Sequence, residues 1–166
     1  QLQKMNGSAV ELGGNWLPAT SYAGGMNKYV SDLQRVVLRH VIADDNQTRA
    51  DMEQYYVKYT RTYQDFADRY EATITADAKA ERAQFEAIAR SFEAYKKTLD
   101  ELMAMSNAGQ DAQATAFMKD RVFPQYTDLN DKMEALVETN ITMGQAATKH
   151  AADNYRIALG VTIAGI

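Results

Sequence analysis

Apolar residues recur every three or four positions along four stretches of the chain, and this spacing limits the fold more than any other feature of the sequence. The stretches cover residues 22–40, 52–74, 85–102 and 126–151. Such spacing places apolar side chains on one face of an α-helix, whereas a half-buried strand needs strict alternation, which no stretch shows. The pattern therefore predicts an all-α protein.

Four long helices, at about residues 1–45, 47–76, 78–107 and 110–166, account for these stretches. The links between them are short, and short links make neighbouring helices antiparallel. Apolar positions in the last stretch recur about every 3.5 residues, which is typical of the seam of a left-handed bundle. We therefore predict an antiparallel up-down-up-down four-helix bundle with long first and fourth helices.

Proline and paired glycines stand near the start of the first predicted helix. Pro18 lies between the glycine pairs 13–14 and 24–25. Both residue types weaken or bend a helix. The sequence predicts a bend here, which either lets the helix follow its neighbour or acts as a functional hinge.

The last residues of the chain, IALGVTIAGI, carry no charge. A bilayer crossing needs about 20 apolar residues, so residues 157–166 read as the start of a truncated transmembrane helix, with Arg156 at the membrane edge. The alternative is a hydrophobic terminal helix packed in a soluble core. The first interpretation gives a bundle domain at residues 1–156 and the beginning of a membrane anchor at residues 157–166.

Composition and motifs argue against catalysis and against nucleic-acid binding. The chain has 166 residues, no cysteine and a net charge of −4, which suits one domain without a basic stripe for nucleic acid. His40 and His150 are far apart, and we find no metal-binding spacing, phosphate-binding glycine loop or serine nucleophile elbow. The sequence therefore predicts no enzyme, no metal and no cofactor, with His40 as a core or interface histidine.

Tyrosine is unusually frequent, and five of the ten tyrosines fall in the second predicted helix. These are Tyr55, Tyr56, Tyr59, Tyr63 and Tyr70. Their rings can fill a wide core seam while each hydroxyl seeks a polar partner. They either serve core packing alone or line a polar cavity between helices, and the sequence leaves both readings open.

Two arginines, Arg35 and Arg39, lie one helical turn apart beside the apolar stripe of the first helix. Like charges at this spacing repel unless an anion lies between or beside them. Ion pairs with Asp32 or with a neighbouring helix would satisfy them. The alternative is a carboxylate ligand, which the guanidinium fork binds well.

The whole chain resembles the extracytoplasmic ligand-binding domain of bacterial methyl-accepting chemotaxis receptors of the four-helix-bundle class. The resemblance rests on NWLPATSYAGGMNKYVSDLQRVVLRHVIADD in the first helix and on RVFPQYTDLNDKMEAL near the start of the fourth. HAADNYRIALGVTIAGI is similar to the helix that enters the second transmembrane segment in that class. The resemblance implies a periplasmic homodimeric domain of an inner-membrane receptor.

Residues of the ligand site follow from the same resemblance. In the aspartate receptors of this class, arginines of the first helices and a threonine near the start of the fourth hold the ligand. Arg35 and Arg39 match two of those arginines, whereas the third falls on Val30. The threonine's place falls on one of three neighbours, which are Gln125, Tyr126 and Thr127.

Arg61 and Arg90 neighbour the apolar seams of their own helices and join the candidate ligand residues. Because two of the arginines remain, we expect a small organic acid, a di- or tricarboxylate such as malate or citrate, and a signal passed on by helix displacement. The alternatives are a sensor of aromatic acids or amino acids, the sensor of a histidine kinase, and a structural bundle that binds a protein.

Overall fold

The computed structural model describes residues 16–164, with side chains up to residue 150 and those of residues 152, 153 and 156. Those residues form α1 (Leu17–Ile42), α2 (Asn46–Glu71), α3 (Lys79–Asn107), α4 (Asp111–Phe117), a π-helical segment (Met118–Val122) and α5 (Phe123–Ala164). They contain no strand. The predicted all-α four-helix bundle is confirmed, and α4, the π-helical segment and α5 together make its fourth rod.

Two predicted segments lie partly or wholly outside that part of the chain. Residues 1–15 of the first predicted helix are outside the described residues, as are residues 165 and 166 of the terminal apolar run. Among residues 16–164, no helix combines the length and the apolar character that a membrane crossing requires.

Contacts between the helices give the antiparallel order that the short links predict. Tyr22 of α1 contacts Phe66 of α2, and Tyr29 of α1 contacts Tyr59 of α2. Residue numbers therefore rise along one helix as they fall along the other. Ring contacts and hydrogen bonds show the same inversion between α2 and α3 and between α3 and α5. Helix α1 packs between α2 and α5, and α3 packs against α5.

The predicted stripes form most of the core, although Tyr55 of the second stripe is 45% exposed. The largest fully buried side chains come from α1, α2, α3 and α5, and they are Met26, Leu33, Tyr63, Tyr70, Ile88, Phe92, Tyr95, Leu99, Leu102, Leu129, Met133 and Leu136. The α2 and α3 backbones stand farther apart than those of α1 and α2. Aromatic rings fill the gap, with Tyr63 stacked on Phe92 at 3.5 Å between ring centroids.

Short polar signals mark the ends of α2 and α3. Asp45 accepts a hydrogen bond from the backbone N–H of Thr48 at 2.7 Å, which caps the start of α2. Gly109 follows α3 with φ of 67°, a conformation that favours glycine.

Glycines 13 and 14 of the predicted bend are outside the described residues, whereas glycines 24 and 25 lie inside α1. Helix α1 runs unbroken through both, and Pro18 lies in its first turn, where a missing N–H costs no hydrogen bond. A Cβ on Gly25 would lie 2.5 Å from Cδ1 of Phe66, whereas one on Gly24 would meet nothing within 4 Å. Gly25 therefore permits the close approach of α2 to α1.

The π-helical segment lies directly before Pro124. The N–H of Phe123 bonds to the carbonyl of Met118, five residues earlier. Pro124 has no N–H for the carbonyl of Asp120, and its ring would collide with that carbonyl in a regular α-helix. The wider turn accommodates the proline inside a continuous rod.

Candidate ligand-binding site on the first helix

Arg35 and Arg39 lie on the outer face of α1, where both side chains are exposed. The Arg35 side chain is 68% exposed. Lys28 lies on the same face, two turns before Arg35, and is also exposed. Three cationic side chains therefore line one outward strip of a single helix, as the helical spacing predicts.

Asp32 is the one carboxylate inside this strip, and it is buried. It accepts hydrogen bonds from Lys28 one turn before it and from Arg35 one turn after it. Burial by itself would raise the pKa of Asp32, but these two donors outweigh it and the pKa lies below its usual value. Arg35 thus has an internal partner.

Arg39 differs from Arg35 in this respect. Within residues 16–164, no carboxylate oxygen lies within 4.0 Å of the Arg39 guanidinium, and the group makes no side-chain hydrogen bond. The ion-pair interpretation therefore holds for Arg35. The guanidinium of Arg39 is available to an external anion.

Tyr126 connects this strip to the fourth rod. Its hydroxyl lies 3.2 Å from Oγ of Ser31, one turn before Arg35, and its ring lies 6.2 Å from that of Tyr95. The neighbouring Gln125 has a buried side-chain oxygen without a hydrogen-bond partner. Thr127 is exposed. The structure thus brings the start of α5 beside the arginine-bearing turn of α1.

Arg61 and Arg90 lie elsewhere. Arg61 lines a cleft between α2 and α3. Arg90 is on the exposed face of α3, 3.9 Å from Glu86 one turn earlier. Neither side chain shares the outer strip of α1. Whether the four candidate arginines meet depends on how three helices are rotated about their axes relative to one another. The spacing of residues within each helix does not give that rotation.

His40 is a fully buried histidine that bonds within the core. Its Nδ1 lies 3.1 Å from Oγ of Ser106, and its Nε2 lies 3.4 Å from a carboxylate oxygen of Glu53. Glu53 also accepts a hydrogen bond from Asn107 at 2.7 Å. In the described part of the chain no group of three or more His, Asp or Glu side chains is arranged to hold a metal.

The tyrosine-rich helix α2 serves packing and also borders a cleft. Tyr56 donates to Asp100 at 2.7 Å and Tyr70 donates to Glu81 at 2.7 Å. The buried hydroxyl of Tyr63 has no partner. Tyr56 and Tyr63 both line the space between α2 and α3. Tyr70 thus serves core packing, whereas Tyr56 and Tyr63 also border a cleft between helices.

A second cavity, of about 460 Å³, lies between α1 and α5 at the end of the bundle near Trp16. Gly144 lines it, and a Cβ at this position would make an ordinary contact with the Trp16 side chain at 3.6 Å. Among the described residues, the side chains that line this cavity are apolar or neutral polar. Nothing in the apolar spacing of the sequence indicated it.

Comparison with known families adds one match. The model of a family described as a four helix bundle sensory module for signal transduction matches residues 1–155. No significant similarity was found to a curated protein or to a solved structure.

Proposed function

The chain belongs to the four-helix-bundle sensory modules of chemotaxis receptors, and we propose that it senses a small organic acid outside the cytoplasm for a membrane-anchored receptor. The ligand class that we propose is a di- or tricarboxylate such as malate or citrate. The observation that carries this proposal is the exposed guanidinium of Arg39, one turn from Arg35 and without a carboxylate partner in residues 16–164.

Charge supports a ligand with more than one carboxylate. The strip on α1 holds three cations, Lys28, Arg35 and Arg39, but one carboxylate, Asp32. A ligand with one carboxylate would bind Arg39 alone, and Arg35 would stay paired with Asp32. A second carboxylate can share the outward-facing side of Arg35, because a guanidinium has five N–H donors in a planar fork. Dicarboxylates therefore gain contacts that monocarboxylates lack.

A second copy of the chain completes the site in this proposal. The outer face of α1 also exposes Leu17 (68%) and Ile42 (77%), one at each end of the helix. Contact between two copies through this face would remove both apolar side chains from water. A homodimer formed through α1 would cover them and would enclose the arginine strip, which raises the strength of its charge interactions.

Signalling in this proposal involves no bond making. Ligand binding favours one packing of the bundle over another, to the extent that the two packings differ in affinity. The Ser31–Tyr126 contact joins the arginine-bearing turn to the fourth rod, whose α5 continues for 42 residues. An axial shift of α5 would carry the change toward residues 157–166, which we propose begin a transmembrane helix of the inner membrane.

The test is calorimetry of the purified domain with malate, citrate and succinate. We expect binding by at least one, with the affinity reduced at least about tenfold in Arg39→Ala, because a hydrogen bond to a charged group contributes about 1.5–3 kcal/mol. Arg35→Ala should weaken binding as well. Arg69→Ala, an exposed arginine on α2, is the matched control and should bind normally.

Two results would overturn the proposal. The first is unchanged affinity in Arg39→Ala for an acid that the domain binds. The second is failure of all three acids to bind at millimolar concentration while circular dichroism shows a folded bundle.

A further inference from the structure

A cleft opens between α2 and α3, on the far side of α2 from α1. Its larger part, of about 510 Å³, and its smaller part, of about 170 Å³, share three lining residues, Gln64, Phe92 and Glu93. The larger volume lies in the range of small-molecule sites. We call the two parts together the α2/α3 cleft.

Charge is distributed unevenly along the α2/α3 cleft. The basic end, away from the α2–α3 turn, carries Arg61 and Lys96. The acidic end, toward that turn, carries Asp68 and Glu71. Glu93 borders both parts. An occupant that lies along the cleft therefore meets positive charge at one end and negative charge from the middle onward.

Internal partners occupy three of these five groups. Lys96 pairs with Asp100 at 3.0 Å, Glu71 pairs with Arg82 at 3.2 Å, and Asp68 accepts a hydrogen bond from Gln64 at 2.8 Å. Arg61 and Glu93 form no ion pair within 4.0 Å in residues 16–164, with each other or with any other group. One unpaired cation and one unpaired anion thus border the same space.

Two hydroxyl groups at the cleft also lack partners. Thr60 borders the larger part, and its buried Oγ1 makes no hydrogen bond within the described residues. Tyr63, a residue 2% exposed, borders the smaller part, and its buried hydroxyl is likewise unpaired there. Buried polar atoms in native proteins are nearly always hydrogen-bonded. A water molecule or a polar group of an occupant can supply the partner that neither hydroxyl finds in the protein.

We propose that the α2/α3 cleft binds an α-amino acid with a large apolar side chain. The ligand carboxylate bonds to Arg61, the ammonium bonds to Glu93, and the side chain packs on Phe92 and Val57. A dicarboxylate fits less well, because Glu93 would repel its second charge. A simple amine would leave Arg61 unpaired.

This site is independent of the arginine strip on α1. Arg35 and Arg39 line neither part of the cleft, and Arg61 is absent from the strip. Aromatic pairs between α1 and α2, such as Tyr29 with Tyr59 at 5.5 Å, occupy the face of α2 that lies between the arginine strip and the cleft. The cleft can therefore bind its ligand whether or not the strip binds an organic acid.

The experiment compares L-phenylalanine with two analogues that each lack one charge, by calorimetry on the purified domain. 3-Phenylpropionate lacks the ammonium group and phenethylamine lacks the carboxylate. We expect L-phenylalanine to bind and each analogue to bind at least about tenfold more weakly. In Arg61→Gln, L-phenylalanine and phenethylamine should become nearly equal in affinity. In Glu93→Gln, L-phenylalanine and 3-phenylpropionate should do so.

Controls separate this site from the strip and from misfolding. Arg61 and Glu93 are exposed, so both variants should melt like the wild type by circular dichroism. Arg69→Gln and Arg39→Ala should retain full affinity for L-phenylalanine. The proposal is overturned if L-phenylalanine, L-leucine and L-tryptophan all fail to bind at millimolar concentration. It is also overturned if the Arg61 and Glu93 variants bind as the wild type does, or if Arg39→Ala alone removes binding.

Discussion

Adjacent glycines in α1 allow the packing of α1 on α2 to be measured with a matched pair of variants. Gly24 and Gly25 both have ordinary helical φ values in an unbroken helix. Helix propensity alone favours alanine over glycine inside a helix by about 1 kcal/mol. That gain should be the same at both positions, so the difference between the variants isolates steric contact.

The expected signs are opposite. Gly24→Ala places its methyl in open space, so we expect a gain of about 1 kcal/mol in the free energy of unfolding. Gly25→Ala brings its methyl within 2.8 Å of three ring atoms of Phe66. The ring cannot retreat freely, since it stacks on Tyr29 at 5.8 Å. Overpacking costs about 1–3 kcal/mol, which cancels or exceeds the helix gain.

Urea unfolding followed by circular dichroism measures both free energies, and each kcal/mol corresponds to about 2–4 °C in Tm for a chain of this size. Phe66→Leu in the Gly25→Ala background should recover part of the loss, and the same change alone gives the reference for a double-mutant cycle. Equal stabilisation by both alanines would refute the close approach of α2 to α1 at this point.

Two further predictions concern polar groups in the core and on α1. Tyr70→Phe leaves Glu81 and Asn140 without their buried partner and should lower the free energy of unfolding by about 1–3 kcal/mol. Tyr63→Phe removes a buried hydroxyl that has no partner, so it should not lower the free energy of unfolding. Equal losses in urea unfolding would contradict this. Burial of Asp32 opposes ionisation, but donors on either side lower its pKa below the ordinary 3.8. The ionised Asp32 therefore stabilises the fold above that value, and this contribution is lost as pH falls below it. Urea midpoints measured down to about pH 3 should consequently fall more for the wild type than for Asp32→Asn.

Helical spacing was sufficient to predict the bundle and most of its core. Tyr63, Tyr70 and Leu99 are buried where the predicted stripes place them. Such stripes report which face of each helix is covered, and short links restrict the order of neighbours. The packing role of Gly25 could not be predicted, because it depends on Phe66 of another helix. The π-helical segment was not predicted, since its sequence continues the helical pattern.

The candidate site could be predicted only in its local part. Arg35, Arg39 and Asp32 belong to one helix, so their shared strip and the ion pair of Arg35 follow from spacing. The separation of Arg61 from this strip depends on how α2 is rotated about its axis relative to α1. The partners of the tyrosine hydroxyls are also distant in sequence, since Tyr56 and Asp100 are 44 positions apart. Periodicity contains no such long-range information.

The π-helical segment matters for anyone who builds hybrid receptors from this chain. Buried or half-buried positions follow one another at Ala114, Met118, Val122 and Tyr126, four apart each time, before the usual alternation of three and four returns. Positions four apart stay on the same face only where a helix has more residues per turn than the roughly 3.6 of an α-helix. A junction that replaced Met118–Val122 with a regular α-helical sequence of the same length would turn all of α5 out of phase with α1 and α3. Splice points belong before Asp111 or well beyond Pro124, so that the wide turn and its proline are transplanted as one unit.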